Sequence, residues 1–230
     1  MRSIAIIPAR GGSKRIPGKN LIEFGGKPAI THVINTAFQS GVFETIIVST
    51  DDDNIADVSR SAGAAIVNRP AELSDDFTPL NPVLLHTLDQ LDADFDTMAL
   101  IYATGVCLKA QTIQDMAAIL DGKSDLDYVT LVQRFESAPQ RGFYRDGDGC
   151  ITMINQEHVM TRSQDLRPMY HDAGLCSFGR VSAWRMGKHL FSARTLAYEI
   201  DRLSAIDIDE PDDLALAQLI FQHSLEVKSD

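Results

Sequence analysis

Pro8-Ala9-Arg10-Gly11-Gly12-Ser13-Lys14-Arg15-Ile16-Pro17-Gly18-Lys19-Asn20 is the stretch whose reading decides this chain. It follows the short apolar run Ile4-Ala5-Ile6-Ile7, which reads as a buried first strand. Four cations, Arg10, Lys14, Arg15 and Lys19, fall in ten positions, and no acid occurs among the first twenty residues. Glycines at 11 and 12 let backbone N–H groups approach an anion more closely than side-chain-bearing residues would. A cationic, glycine-bearing loop at the carboxyl end of a first strand is where an α/β protein grips a nucleotide triphosphate. The stretch is neither a Walker A loop nor a dinucleotide fingerprint. Ser13 stands where the former needs its first glycine, Asn20 replaces the metal-binding hydroxyl, and the adjacent glycines break the G-x-G-x-x-G spacing of the latter.

Outward from this loop, strand and helix signals alternate. Ala29, Ile30, Val33, Ile34, Ala37 and Phe38 recur at helical spacing before Gly41. Ile46 to Thr50 reads as a second strand. Asp51-Asp52-Asp53 then opens a helix that ends at Gly63, with Thr50 or Asp51 as the expected N-cap. Further strands are expected at 64–67, 98–102 and 128–132, with helices at 79–91 and around 113–120 between them. Such alternation predicts βαβ units, hence an α/β fold with a mostly parallel sheet. From Gln133 to about Phe178 the chain turns polar and irregular, and Asp146-Gly147-Asp148-Gly149 marks a β-hairpin. We expect one domain over 1–230, with 133–178 as an inserted arm that covers the site or reaches a partner subunit. A helix at 183–188, strands at 195–200 and 206–208, and a last helix from Pro211 complete the reading.

The chain of 230 residues has a net charge of −11, which argues against nucleic acid and anionic membrane as partners. No apolar run approaches the ~20 residues of a membrane helix, and the start shows no signal-peptide plan, so cytoplasmic residence is expected. Cys107, Cys150 and Cys176 are widely spaced, which indicates neither a zinc site nor a disulfide framework. The charge distribution matters more than the sum. Glu199 to Asp213 carries seven acids and one Arg, opposite in sign to the first twenty residues.

Ala205-Ile206-Asp207-Ile208-Asp209 is the second strong signal. Alternation puts Asp207 and Asp209 on one face and the isoleucines on the other. Two neighbouring carboxylates repel unless a cation lies between them or one protonates, and Mg²⁺ takes one or two carboxylates and completes its shell with water and phosphate oxygens. The alternative for Asp209 is a cap of the last helix. Arg69, in Arg69-Pro70-Ala71-Glu72-Leu73-Ser74-Asp75-Asp76-Phe77-Thr78-Pro79, is suited to a phosphate or a base carbonyl. Thr78 is suited to the base or to capping the next helix. Thr161-Arg162-Ser163-Gln164-Asp165-Leu166 and Tyr170-His171-Asp172-Ala173-Gly174 are dense in polar groups; Arg162 suits a carboxylate, and His171 an anion or a proton.

Together these residues resemble the sugar-acid cytidylyltransferases. The likeness rests on A-R-G-G-S-K-R-I-P-G-K-N at 9–20, V-S-T-D-D at 48–52, R-P-A-E-L-S-D-D at 69–76 and I-D-I-D-E-P-D-D at 206–213. Within that family, I-Y-A-T at 101–104, T-R-S-Q-D-L at 161–166 and Y-H-D-A-G at 170–174 look most like the members that use pseudaminic acid. The resemblance implies a glycosyltransferase-A-like nucleotidyltransferase fold, Mg²⁺ dependence and a homodimer. It implies that CTP is held by Ala9, Arg10, Gly11, Gly12, Ser13, Lys14, Lys19 and Asn20 with Arg69 and Thr78, and the metal by Asp207 and Asp209. Arg10, Lys19, Asp207 and Asp209 would carry catalysis. The sugar acid would meet Tyr102, Thr104, Arg162, Gln164, His171 and Asp172, in part across the dimer. Two segments depart from relatives. Gly105-Val106-Cys107 stands where a proline is common, and Leu175-Cys176-Ser177-Phe178 where an aromatic run is common; both are expected near the sugar pocket. They leave open N-acetylneuraminic or legionaminic acid as substrate, and a nucleotide-binding module without turnover.

Overall fold

The computed structural model describes residues 1–226. Its strands are β1 (Ser3–Pro8), β2 (Glu23–Phe24), β3 (Lys27–Pro28), β4 (Thr45–Thr50), β5 (Ala65–Asn68), β6 (Thr97–Ile101), β7 (Tyr128–Arg134), β8 (Phe143–Arg145), β9 (Ile151–Met153), β10 (Tyr170–Arg180) and β11 (Thr195–Glu199). Its α-helices are α1 (Ala29–Ser40), α2 (Asp53–Ser61), α3 (Leu80–Asp89), α4 (Ala110–Gly122), α5 (Val181–Arg185) and α6 (Pro211–Glu226). Seven strands form one sheet in the order β11-β7-β10-β6-β1-β4-β5. All neighbours in it are parallel except β10, which runs antiparallel to both β6 and β7. The mostly parallel α/β expectation therefore holds.

Alternation along the strands builds a core on each face. Ala5, Ile7, Ile46, Val48, Ala99, Ile101, Val129 and Leu131 meet α1 and α4 through Ile30, Val33, Ile34, Ile113, Met116 and Leu120. Ile4, Ile6, Ile47, Met98, Leu100 and Tyr128 meet Leu84 and Leu88 of α3 and Ala183 and Trp184 of α5. Parallel strands covered on both faces read as continuous apolar runs, which is why these were visible in the sequence. From β1 the chain steps outward to β4 and β5, then returns to β6 on the other side of β1. The crevice at the carboxyl ends of β1 and β6 is thus a topological switch point.

A third apolar cluster positions the site. Ile16 of the cationic loop packs with Ile206 and Ile208 of the acidic segment, together with Phe24, Ala29, Val106, Ala217 and Phe221. Phe221 anchors α6, its ring lying edge-on to Phe24 at 5.6 Å and to His32 at 4.7 Å.

Three readings need correction. The polar, irregular segment ends near Met169: Tyr170–Arg180 is an eleven-residue strand, and its second half, Leu175 to Phe178, is buried between β6 and β7. The hairpin within the arm is present as β8–β9. Ile206 to Ile208 pairs with no strand among the described residues, yet its isoleucines are buried, while Asp207 and the following Asp209 are not. The cap of α2 is neither Thr50 nor Asp51. Asp52 takes that place, accepting a hydrogen bond from Ile55 N–H at 3.0 Å.

Candidate active site

A cleft of about 480 Å³ opens at the switch point. Arg10, Ser13, Lys14, Arg15, Lys19 and Asn20 line one wall, and Tyr102, Ala103 and Thr104, just past β6, line the other; Arg69, Asp76 and Leu80 complete it. The two oppositely charged segments of the sequence meet at its rim. Lys19 Nζ donates to the Ile208 carbonyl at 2.6 Å and to Asp209 Oδ1 at 3.2 Å. Arg15 reaches Asp209 at 3.0 Å and Glu210 at 3.1 Å. Among the described residues Asp209 accepts no hydrogen bond from the first turn of α6; instead Asp213, inside that turn, reaches back to accept from Asp209 N–H at 3.1 Å and Glu210 N–H at 2.7 Å.

The glycine loop is braced from below. Gly11 N–H donates to Asp51 at 3.0 Å, and a Cβ at Gly11 would lie 2.6 Å from the Asp52 carboxylate, so the Gly11 position admits no side chain. Gly12 faces open space. Asn20 donates to the Arg10 carbonyl at 3.0 Å and holds the loop closed. Ala9 is buried and continues β1 by donating to Ser49 O at 2.9 Å, so it supports the loop from the core. Arg69 is buried, donates to the Ser49 carbonyl at 2.7 Å, and has no partner for Nε. Burial lowers its pKa from the ordinary guanidinium value, so an anion in the cleft would offset a real desolvation penalty. The Thr78 hydroxyl is taken up by Asp75 at 2.8 Å and neither lines the cleft nor caps α3, whose N-cap is Pro79.

Carboxylates gather at the sheet side. Although the residue is exposed as a whole, neighbouring atoms take part of the water from the Asp207 carboxylate, which is pushed up to about 6 by that desolvation first and then by the charge of Asp209, with Asp172 and Asp213 adding to it and Lys19 opposing. Among the described residues Asp207 forms no ion pair, whereas Asp209 is held by Lys19 and Arg15. A carboxylate short of counter-charge beside a cation-lined cleft fits a divalent ion that takes its other ligands from phosphate and water. No cluster of three or more His, Cys, Asp or Glu among the described residues forms an all-protein cage. Gly174 makes the crowding possible. Its φ is +63°, its N–H donates to Asp172 at 3.1 Å, and a Cβ there would overlap the Asp207 carboxylate. Tyr102 is pushed up to about 12, by burial first and then by Asp172, Asp207 and Asp209. It stays protonated at neutral pH, so its hydroxyl keeps a hydrogen to donate.

The chain matches the cytidylyltransferase family model over residues 4–182. It belongs to that family. Pseudaminic acid cytidylyltransferase of Campylobacter jejuni is 34% identical over 227 residues, covering 96% of this chain and 97% of that protein. CMP-N,N'-diacetyllegionaminic acid synthase of Legionella pneumophila is 32% identical, covering 98% and 99%. N-acylneuraminate cytidylyltransferase of Streptococcus agalactiae is 30% identical over the full length of this chain and 56% of its own. The solved structure of CMP:2-keto-3-deoxy-manno-octonic acid synthetase complexed with CTP superposes with a TM-score of 0.75 at 16% identity, over 97% of this chain and all of that one. That likeness confirms the nucleotidyltransferase fold.

In this cytidylyltransferase the other expected sugar-acid residues are split. Tyr102 and Thr104 line the cleft, and the Asp172 charge acts on Tyr102 and Asp207. His171, next along the strand, faces elsewhere: its ring lies 4.8 Å from Phe135, and it lines a second cleft of about 570 Å³ with Arg134 and Arg202. Arg162 sits on the arm and is paired with Asp165 at 2.7 Å; Gln164 borders a separate hollow with Gln140 and Arg167. Within one chain, then, Arg162, Gln164 and His171 do not line the cleft at the switch point. The departure at Leu175 to Phe178 lies in the core and not in the pocket, every side chain there being buried. Gly105 closes a tight turn, donating to the Tyr102 carbonyl at 3.0 Å. Asp76, which stands in the 69–76 block without an expected role of its own, also lines the cleft.

Two outcomes follow from the crowded carboxylates. Because the folded-state pKa of Asp207 is raised, the stability linked to its protonated form is present below about pH 4 and lost as pH rises through about 6. Asp207→Asn in metal-free buffer should therefore melt higher than the parent at pH 8, by about 2–4 °C for roughly 1 kcal/mol after discounting for solvent exposure. The gap should close near pH 4; an equal gap at both pH values refutes the assignment. Gly174→Ala should displace Asp207 and lower turnover at least tenfold in a pyrophosphate-release assay while the chain stays folded by circular dichroism. Full activity would show that the close approach is not required.

Proposed function

We propose that this chain joins CTP to pseudaminic acid, releasing pyrophosphate and CMP-pseudaminic acid. The observation that carries the reading is the meeting of Lys19 with Asp209 at the rim of one cleft. It sets a triphosphate-binding wall beside a carboxylate pair. The choice of sugar acid is supported by the near full-length likeness to the Campylobacter jejuni enzyme.

In the proposed reaction the anomeric hydroxyl oxygen of the sugar acid attacks the α-phosphorus of CTP and its proton passes to water. The bond from that phosphorus to the bridging oxygen breaks, and pyrophosphate leaves with the electron pair. Such transfers depend on positioning and charge stabilisation more than on covalent help. Arg10, Lys14 and Lys19 neutralise the triphosphate, and Arg69 meets the base or a phosphate from its buried position. Tyr102 and Thr104 orient the incoming hydroxyl. Asp207, with Asp209 beside it, would hold Mg²⁺, which supplies Lewis-acid neutralisation of the phosphate oxygens. No helix among the described residues is long and apolar enough to cross a membrane. We place the enzyme in the cytoplasm, where its nucleotide is available.

We further propose a homodimer in which the arm completes the partner's sugar site. The arm exposes Phe143, Tyr144, Ile151 and Met160, the last 91% accessible, an apolar surface that a second copy would cover. Arg162 and Gln164 lie on that same arm. Light scattering should give twice the 25.3 kDa chain mass; a monomer that turns over at full rate contradicts this assembly.

The substrate is tested by pyrophosphate release from CTP and Mg²⁺ with pseudaminic, legionaminic, N-acetylneuraminic and 2-keto-3-deoxy-manno-octonic acids. Pseudaminic acid should show a kcat/KM at least tenfold above the others. A higher value for another acid reassigns the substrate. CTP binding by calorimetry without pyrophosphate from any acid would make the chain a nucleotide-binding module.

A further inference from the structure

The cations of the nucleotide cleft already hold an anion that belongs to the protein. Asp76 lies in the loop before α3 and lines the cleft. Its Oδ1 sits 2.5 Å from Arg10 Nη1, and its other oxygen pairs with Lys14 Nζ. One carboxylate thus bridges two cations through separate oxygens, as a phosphate does. The Asp76 side chain is only 25% exposed. A turn built by its neighbour presents it: Asp75 accepts from Phe77 N–H at 2.9 Å and from Thr78 N–H at 2.6 Å.

The remaining cations of the wall are arranged differently. Lys19 and Arg15 turn to Asp209 and Glu210 on the rim, and Arg69 turns to a backbone carbonyl. Arg10 and Lys14 alone in that wall are bridged by an acid that lines the cavity itself.

We infer that Asp76 is an internal surrogate for phosphate oxygens, holding Arg10 and Lys14 in place until a polyphosphate displaces it and taking them back as pyrophosphate leaves. This rests on the reading of the cleft as a CTP site and names what regulates its affinity. Asp76 acts through the two cations and is a positioning residue. A residue that merely supported the loop would, when removed, weaken polyphosphate binding. An internal competitor, when removed, strengthens it, because both cations then meet the ligand without first releasing a partner.

The test is calorimetric titration of CTP and of pyrophosphate, separately, into the parent, Asp76→Asn and Asp76→Glu, with pyrophosphate product inhibition measured alongside. Asp76→Asn should bind pyrophosphate about tenfold more tightly, show a correspondingly lower inhibition constant, and bind CTP more tightly as well. Asp76→Glu, which keeps the charge, should return both affinities toward the parent. Asp76→Ala carries the same expectation as Asn and replaces it if Asn does not fold. Unchanged or weaker pyrophosphate binding by Asn and Ala, with CTP binding intact in the parent, overturns this inference alone. A parent that binds no CTP overturns both it and the proposed function.

Discussion

Lys19 joins two parts of the chain 189 residues apart, its ammonium shared between the Ile208 carbonyl and Asp209. The charges do not account for that meeting by themselves. Partly exposed ion pairs contribute about 0–1 kcal/mol each. Burying an isoleucine side chain contributes about 1.5–3 kcal/mol, and Ile16, Ile206 and Ile208 are buried together against α6. Apolar packing brings the segments together and leaves the alternating aspartates off the apolar cluster, with Asp209 against Lys19 and Arg15 at the rim of the cleft. Electrostatics decides what the resulting crevice can bind.

The same division of labour runs through the site. Gly11 and Gly174 remove side chains where a carboxylate must come close, Asp52 in one case and Asp207 in the other. The central antiparallel strand β10 carries Asp172 and Gly174 to the carboxylate group while burying Leu175 to Phe178 in the sheet. Desolvation, and then the charge of Asp209, raises the pKa of Asp207 and destabilises its charged form. In the cleft itself a carboxylate has the counter-charge that Asp207 lacks among the described residues: Asp76 bridges Arg10 and Lys14.

Much of this was legible in the residues because it rests on local pattern. The parallel strands are covered on both faces and show as apolar runs. The I-D-I-D alternation predicted the two faces of 206–209 correctly although no ladder holds that segment, since alternate burial needs only a chain lying across an apolar surface. Strand β10 was hidden because its first half, Tyr170 to Asp172, is exposed and polar, and its apolar half spans only four residues. Thr50 and Asp51 both offered a plausible cap, and only the folded geometry selects Asp52 instead. The pairing of Asp76 with Arg10 spans 66 residues and leaves no local mark. Arg162, Gln164 and His171 stood out by chemistry, but which cleft a side chain faces depends on strand register and on the packing around it.

The most direct test of the account is a crystal structure of this chain with CTP and Mn²⁺ in place of Mg²⁺, the metal located by its anomalous scattering. The account predicts the triphosphate against Arg10, Lys14 and Lys19, with the metal peak bonded to an Asp207 oxygen and to a phosphate oxygen of the same nucleotide. A metal peak away from Asp207, or a triphosphate on any other surface, would contradict it.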